Sequence, residues 1–210
     1  SLVGSEMCIR DRSIRYTTSH PLDMDLELIK AHKNVDKLMP YLHLPIQSGS
    51  DNILKKMNRR HTASEYLKII ELVRKYCEDI AISSDFIVGH PGETNEDHKK
   101  TLDIINEVQF ASSYSFMYSE RPGTKSSEFG EIIDKNIKKI RLHQIQNKLN
   151  YYQLAFNKNM EGLEFPILIT DKNKNNQLLG RSPYNQTVYI NEENLPVKKH
   201  HKKLIGSMLN

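Results

Sequence analysis

Strand-like and helix-like segments alternate along residues 13–160 of this 210-residue chain. Two of the helix-like runs begin with capping-box patterns, at residues 62–65 and 94–97, where the side chains at both ends of the box can satisfy the free N–H groups of a helix start. The strand-like runs are β-branched or aromatic and lie at residues 14–18, 41–47, 80–88 and 114–118. Such alternation is typical of a parallel sheet covered by helices, so the sequence predicts an α/β fold here.

The pattern changes after a long helical run at residues 134–159. Three short β-type runs follow, separated by polar turns, at residues 165–170, 177–181 and 187–190. This is typical of a small all-β module. We place the boundary near Glu161, so that residues 13–160 form the α/β part and residues 161–210 the β-module.

Composition excludes several classes of protein. Hydrophobic residues make up 38% and charged residues 27%, which is a globular balance. No run approaches the roughly 20 apolar residues that a membrane-spanning helix needs, so we expect a soluble, cytoplasmic protein without membrane contact. The chain has only Cys8 and Cys77, which excludes a disulfide framework and a four-cysteine cluster site.

Residues 1–12 have neither an amphipathic period nor the apolar core of a signal peptide. Residues 2–11 resemble a translated transposase-type sequencing adapter over ten unbroken positions. We therefore interpret residues 1–12 as an artefactual tail. This interpretation removes Cys8 from any ligand argument.

The net charge of +4 lies mainly in the last sixty residues, which hold eight Lys or Arg and five Asp or Glu. The densest basic patch comprises Lys198, Lys199, Lys202 and Lys203. Taken by itself, this basic patch is explained by a solvated loop. Next to an enzyme-like part, a basic β-module also favours binding to RNA, with these four lysines as contacts.

Polar motifs containing Gly or Pro follow each predicted strand, at residues 18–21, 47–51, 89–94 and 119–124. Because the carboxyl ends of parallel strands meet at one edge, these motifs indicate a polar ligand there. Arg121 has the chemistry to bind a carboxylate or phosphate, although a surface ion pair remains open. A tight turn at residues 89–92 and an exposed basic turn at residues 59–61 are the simpler interpretations of those segments.

Three long strings resemble the radical S-adenosylmethionine (SAM) methylthiotransferases: HLPIQSGSDNILKKMNRRHT (43–62), ISSDFIVGHPGET (82–94) and YSFMYSERPGT (114–124). The motif SHP at 19–21 and the Arg-Pro-Gly at 121–123 are similar to the branch acting on tRNA. That branch converts N6-isopentenyladenosine at position 37 to its 2-methylthio form. The resemblance is dense over residues 13–150 and looser beyond.

The resemblance implies a fold and a site. The α/β part would be the C-terminal portion of a partial (β/α) barrel, and residues 161–210 an incomplete TRAM module, an OB-like barrel that binds RNA. Gln47 and Ser48 would lie beside SAM, and Ile87, Val88 and Gly89 against its adenine. Arg121 would lie near the cofactor or the substrate base.

The resemblance also implies cofactors. The family uses SAM, an electron donor and two 4Fe–4S clusters, one of them held by a CxxxCxxC motif. This chain has no such motif, so we expect the polypeptide as given to bind no cluster, to be inactive and to represent a fragment. Alternatives are a methylthiotransferase for threonylcarbamoyladenosine in tRNA or for a ribosomal protein, a non-catalytic RNA-binding module, or an unrelated barrel enzyme with a phosphate site.

Overall fold

The computed structural model of the chain describes residues 13–17, 20–120, 133–173, 177–191 and 208–209. Its first sheet has three parallel strands in the order β1-β2-β3: Tyr41–His43, Ala81–Val88 and Ser112–Met117. In the described ranges a short 3-10 helix at Pro21–Asp23 and five α-helices accompany it: α1 Leu26–Asn34, α2 Asp51–Lys56, α3 Ala63–Tyr76, α4 Asn95–Val108 and α5 Lys135–Lys158. The predicted α/β fold of residues 13–160 is confirmed.

One face of this sheet forms the hydrophobic core. Phe86 and Val88 of β2 are fully buried, and the ring of Phe86 meets that of Phe110 edge-on at 5.3 Å. Their neighbours in the core come from the helices and include Tyr66, Ile70, Ile105 and Ile145. The alternate positions of β2 point the other way, since successive side chains of a strand face opposite sides. On that second face Asp85 is paired in register with Tyr114, and Ile87 with Phe116.

Both predicted capping boxes are present. The hydroxyl of Thr62 accepts from the amide of Glu65 at 3.2 Å and begins α3, and that of Thr94 accepts from the amide of Asp97 at 3.1 Å and begins α4. Each carboxylate accepts from the backbone N–H of its threonine in return. These reciprocal bonds fix the helix starts that follow the polar motifs.

The predicted strand at residues 41–47 is regular only over Tyr41–His43. Pro45 lacks the N–H that a ladder requires, and the amide of Ile46 donates to the hydroxyl of Ser84 at 3.0 Å instead of to a carbonyl. Gln47 then rejoins β2 through a bridge to Phe86. The predicted strand at 14–18 makes isolated parallel bridges in its described part, at Ile14 and Thr17.

The second sheet has four antiparallel strands in the order β6-β5-β4-β7. They are β4 Ile167–Lys172, β5 Leu178–Arg181, β6 Thr187–Ile190 and β7 Met208–Leu209. Ile169 and Leu178 are fully buried between them. The three predicted β-type runs are confirmed as strands. Within the described ranges, no helix combines the length and apolar character needed to cross a bilayer.

Candidate functional site

A cavity of about 610 Å³ opens at the carboxyl edge of the parallel sheet, on the face that the core leaves open. Its volume lies within the range of ordinary small-molecule sites. The wall mixes apolar and charged groups: Gln47, Met57, Arg59, Asp85, Ile87, His90, Phe116, Met117, Tyr118 and Ser119. In parallel βα folds this edge is where ligands bind.

Gln47 enters the cavity wall from a strained backbone. Its φ of 76° lies in the left-handed region, which costs a residue with a side chain about 1 kcal/mol or more. Two backbone hydrogen bonds to β2 hold it there: its N–H donates to Asp85 at 2.9 Å, and its carbonyl accepts from Ile87 at 2.9 Å. The strained residue is thus fixed directly beside the cavity.

The segment after Gln47 is docked on α4. The hydroxyl of Thr101 accepts from the amide of Gly49 at 3.0 Å and lies 3.3 Å from the hydroxyl of Ser48. The hydroxyl of Ser50 donates to Asp97 at 2.5 Å. Residues 48–50 are all buried, so these contacts set the position of Gln47 relative to the helices.

The loop after β2 forms another wall. Gly89 has φ 72°, a conformation that favours glycine, and its N–H donates to the carboxylate of Glu93 at 2.8 Å. His90 is 1% exposed and packs edge-on against Tyr118 at 5.0 Å between ring centres. Burial lowers the pKa of His90, and its Nδ1–H faces the carbonyl of Pro91 at 3.2 Å. The ring is therefore neutral near pH 7.

Charged groups of both signs face the cavity. Asp85 lies on the open face of the sheet, 3.5 Å from Nε2 of His43, whose Nδ1 is 3.0 Å from the hydroxyl of Ser83. Burial lowers the pKa of the Arg59 guanidinium, and the nearby Asp85 counteracts that effect. A guanidinium and a carboxylate in a partly apolar cavity can recognise a polar ligand that carries both donors and acceptors.

The predicted site residues divide into three groups. Gln47 and Ile87 line the cavity. Ser48, Val88 and Gly89 are adjacent in sequence to lining residues but do not line the cavity themselves. The side chain of Val88 packs into the core, and that of Ser48 contacts α4. Arg121, Lys198, Lys199, Lys202 and Lys203 lie outside the described residues. The roles assigned to all of them stay predictions.

Of the lining residues that the sequence did not assign to the site, two lie where a simpler role was expected. Arg59 was expected on an exposed turn, yet it lies three residues after the end of α2 and lines the cavity. His90 was expected in a simple turn, yet it is buried against Tyr118. The signal available for His90 was its place in the loop after β2, at the carboxyl edge of the sheet.

His61 and His20 form a pair beside this site. His61 is 3% exposed, and its Nδ1 lies 3.4 Å from Nε2 of His20. The pKa of His61 is lowered to about 4, mainly by burial and in addition by the nearby His20 and Arg59, against the opposite effect of Glu65 and Asp51. His61 is therefore neutral in the folded protein at pH values where the unfolded chain is protonated.

This difference predicts a pH dependence of stability. The unfolded chain takes up a proton near pH 6.5, whereas folded His61 resists it down to about pH 4, so the free energy of unfolding should fall as pH drops through this window. We expect a loss of roughly 2–3 kcal/mol, measured by urea unfolding at several pH values. His61→Gln should reduce this pH-dependent loss of unfolding free energy. His143→Gln, at an exposed position of α5, should leave the loss unchanged. Equal slopes in all three proteins would contradict the assignment.

Metal-ligating groups are sparse. Cys77, at the end of α3, is half-buried, and burial raises the pKa of its thiol, as expected for a small hydrophobic residue. Across the described ranges, three or more His, Cys, Asp or Glu side chains do not come together in a way that could hold a metal ion.

Comparison with known proteins connects this cavity to a family. The pattern of the Radical SAM superfamily matches residues 5–105, which include β1, β2 and the loops that carry Gln47 and Gly89. Residues 5–105, just under half of the chain, are therefore similar to the Radical SAM superfamily. The match begins within residues 1–12, whose interpretation as an artefactual tail stays a prediction.

Curated relatives narrow the resemblance. The chain is 54% identical over 183 residues to the tRNA-2-methylthio-N(6)-dimethylallyladenosine synthase of Ehrlichia chaffeensis, covering 86% of this chain and 41% of that protein. Proteins of the same name from Wolbachia pipientis (49% over 181 residues, 85% and 41%) and Maricaulis maris (51% over 178 residues, 84% and 39%) also match. The resemblance to methylthiotransferases is confirmed. The chain spans about two fifths of the length of these relatives.

Proposed function

We propose that this chain is part of a radical SAM tRNA methylthiotransferase that modifies N6-isopentenyladenosine at position 37, and that its cavity holds the adenosine part of SAM. The observation that carries the proposal is the 54% identity to such a synthase over 183 residues of the chain. The cavity supports it, since Gln47, Ile87 and His90 of its wall lie within the region that matches the Radical SAM superfamily. The named activity of those relatives is the source of the substrate assignment.

The cavity has the chemistry for the adenosine part of SAM. Ile87, Phe116 and Met117 offer apolar surface for a planar base, and Gln47 with Asp85 offers donors and acceptors for a ribose. Bound SAM supplies a deoxyadenosyl radical after one-electron reduction and, from a second molecule, a methyl group. The role of this chain's own residues is to bind and orient the cofactor and to exclude water from it.

The residues of this chain do not fit a 4Fe–4S cluster. The sequence has two cysteines, far apart, and within the described ranges three or more His, Cys, Asp or Glu side chains do not come together as a metal site. We propose that the ligands of both clusters, and the contact with the electron donor, belong to parts of the protein that this chain lacks, and that the chain alone is inactive.

The domain roles are part of the same proposal. Residues 13–160 would supply the carboxyl-terminal strands of a partial (β/α) barrel, and residues 161–210 an OB-like TRAM module facing tRNA in the cytoplasm. The described contacts between them include Gln186 Nε2 to Asn157 Oδ1 at 2.7 Å and Phe156 edge-on to Tyr184 at 5.7 Å. Arg121 would approach the cofactor or substrate base, and Lys198, Lys199, Lys202 and Lys203 the RNA backbone.

The test uses the complete gene product, reconstituted with iron and sulfide, on tRNA with and without the isopentenyl group. Nucleoside analysis by mass spectrometry should show the 2-methylthio product only with isopentenylated tRNA. Product on threonylcarbamoyladenosine or on a ribosomal protein would move the assignment to another methylthiotransferase. Salt-sensitive tRNA binding without any product would favour a non-catalytic RNA-binding protein.

A further inference from the structure

The first turns of α5 hold the loop that follows β2 against the cavity. We propose that Arg141 of α5 is a positioning residue, which fixes Glu93 and through it the backbone amide of Gly89 at the cavity edge. The inference rests on the proposed function for the identity of the ligand. It adds residues outside the region matched by the superfamily, since α5 begins at Lys135 and the match ends at residue 105.

Arg141 makes three hydrogen bonds to the segment after β2. One guanidinium nitrogen donates to the carboxylate of Glu93 at 2.7 Å and to its backbone carbonyl at 3.0 Å, and the other donates to the side chain of Asn95 at 2.9 Å. Its side chain is 8% exposed and that of Glu93 is 1% exposed. A buried, forked contact of this kind defines the carboxylate position closely, because the planar guanidinium fixes direction as well as distance.

Glu93 passes this constraint to Gly89. The same oxygen that accepts from Arg141 accepts from the N–H of Gly89 at 2.8 Å. Gly89 has a left-handed φ of 72°, and the residues around it, Ile87 and His90, line the cavity. Loss of Arg141 would leave a buried carboxylate with one hydrogen bond fewer, and burial already raises the pKa of Glu93. The loop would then lose the fixed acceptor that holds Gly89.

Lys138 makes a second contact from α5 to the same wall. A Cβ at Gly89 would lie 2.4 Å from Cγ of Lys138, so the lysine stem packs directly on the glycine. Its Nζ lies 5.5 Å above the centre of the Tyr118 ring, which in turn meets His90. Two side chains one turn apart on α5 thus contact both loops that close the cavity.

The test measures ligand affinity and local dynamics in the complete 210-residue chain, with S-adenosylhomocysteine as the probe. Arg141→Gln should weaken binding by about tenfold or more, because the wall that carries Ile87 and His90 moves. The amide of Gly89 should exchange faster with solvent. Arg141→Lys keeps a positive charge beside the Glu93 carboxylate but loses the hydrogen bond to Asn95. It should therefore retain part of the affinity that Arg141→Gln loses.

Arg74→Gln is the matched control. Arg74 on α3 also anchors a backbone carbonyl, that of Val108, but at the opposite end of α4. It should lower stability without changing affinity or Gly89 exchange. If Arg141→Gln does not fold, Lys138→Ala should still weaken binding by about threefold, since it removes one contact without burying a charge.

Unchanged affinity and unchanged Gly89 exchange in a folded Arg141→Gln or Lys138→Ala chain would overturn the inference. If the unsubstituted chain binds no S-adenosylhomocysteine, the proposed function fails at this cavity, and Gly89 exchange alone decides the positioning role: faster exchange in Arg141→Gln supports it, and equal exchange refutes it.

Discussion

Replacing Gly49 by alanine is expected to destabilise the chain by about 3 kcal/mol, because the site has no room for a side chain. A Cβ there would lie 2.4 Å from the carbonyl oxygen of Lys100 and 2.7 Å from Cα of Thr101. Both are backbone atoms of α4, so they cannot move aside as a flexible side chain would. The added methyl would push residues 48–50 off α4 and break the hydrogen bonds to Thr101 and Asp97.

Gly162→Ala is the control for this prediction. Gly162 has φ 82°, but a Cβ there meets nothing within 4 Å, so only the backbone strain of about 1 kcal/mol should appear. Urea unfolding followed by circular dichroism would measure both variants. Equal losses of stability would contradict the claim that residues 48–50 are packed tightly on α4.

Replacing Ile87 by glutamate should strongly weaken ligand binding in the cavity while leaving the chain folded. Ile87 lies on the open face of β2 and is only partly buried, so a charged side chain there is tolerated in the free protein. In the complex the new carboxylate would be desolvated by the adenine ring of the ligand. It would also lie on the same face of the sheet as the carboxylate of Asp85, which lines the cavity as well. We expect affinity for S-adenosylhomocysteine to fall by about thirtyfold or more, measured by calorimetry.

Leu154→Glu provides the matching change away from the cavity. Leu154 is 68% exposed on the second half of α5, and its replacement by glutamate adds the same charge to the chain. Affinity should stay at the value of the unsubstituted chain. A similar loss in both variants would show a general effect of charge rather than an occupied wall at Ile87.

Local signals were sufficient to predict most elements. The pattern Thr62 to Glu65 fixes the start of α3 and Thr94 to Asp97 that of α4, because capping depends on residues three apart. The same held for β2, a β-branched run closed by Gly89. The strand predicted at residues 41–47 was too long, because Pro45 interrupts the backbone ladder. The amide of Ile46 donates to the hydroxyl of Ser84 instead, a partner far along the chain.

The candidate site was only partly predictable for the same reason. Gln47 and Ile87 followed from the resemblance, whose motifs lie at strand ends. Arg141 contacts Glu93 across 48 positions, and no local pattern on α5 distinguishes it from the neighbouring basic residues. Asp97 was expected only as a cap, yet it also accepts from Ser50. Such roles depend on tertiary packing, which sequence spacing does not contain.

The central claim is a cofactor site at the carboxyl edge of the parallel sheet. Its most direct test is a titration of the isotope-labelled 210-residue chain with S-adenosylhomocysteine, in which amide chemical shifts are measured by NMR. The account predicts saturable shifts confined to residues around Gln47, Ile87, Gly89 and Tyr118, with the second sheet unaffected. Absence of binding at millimolar ligand, or shifts centred on β4–β6, would contradict it.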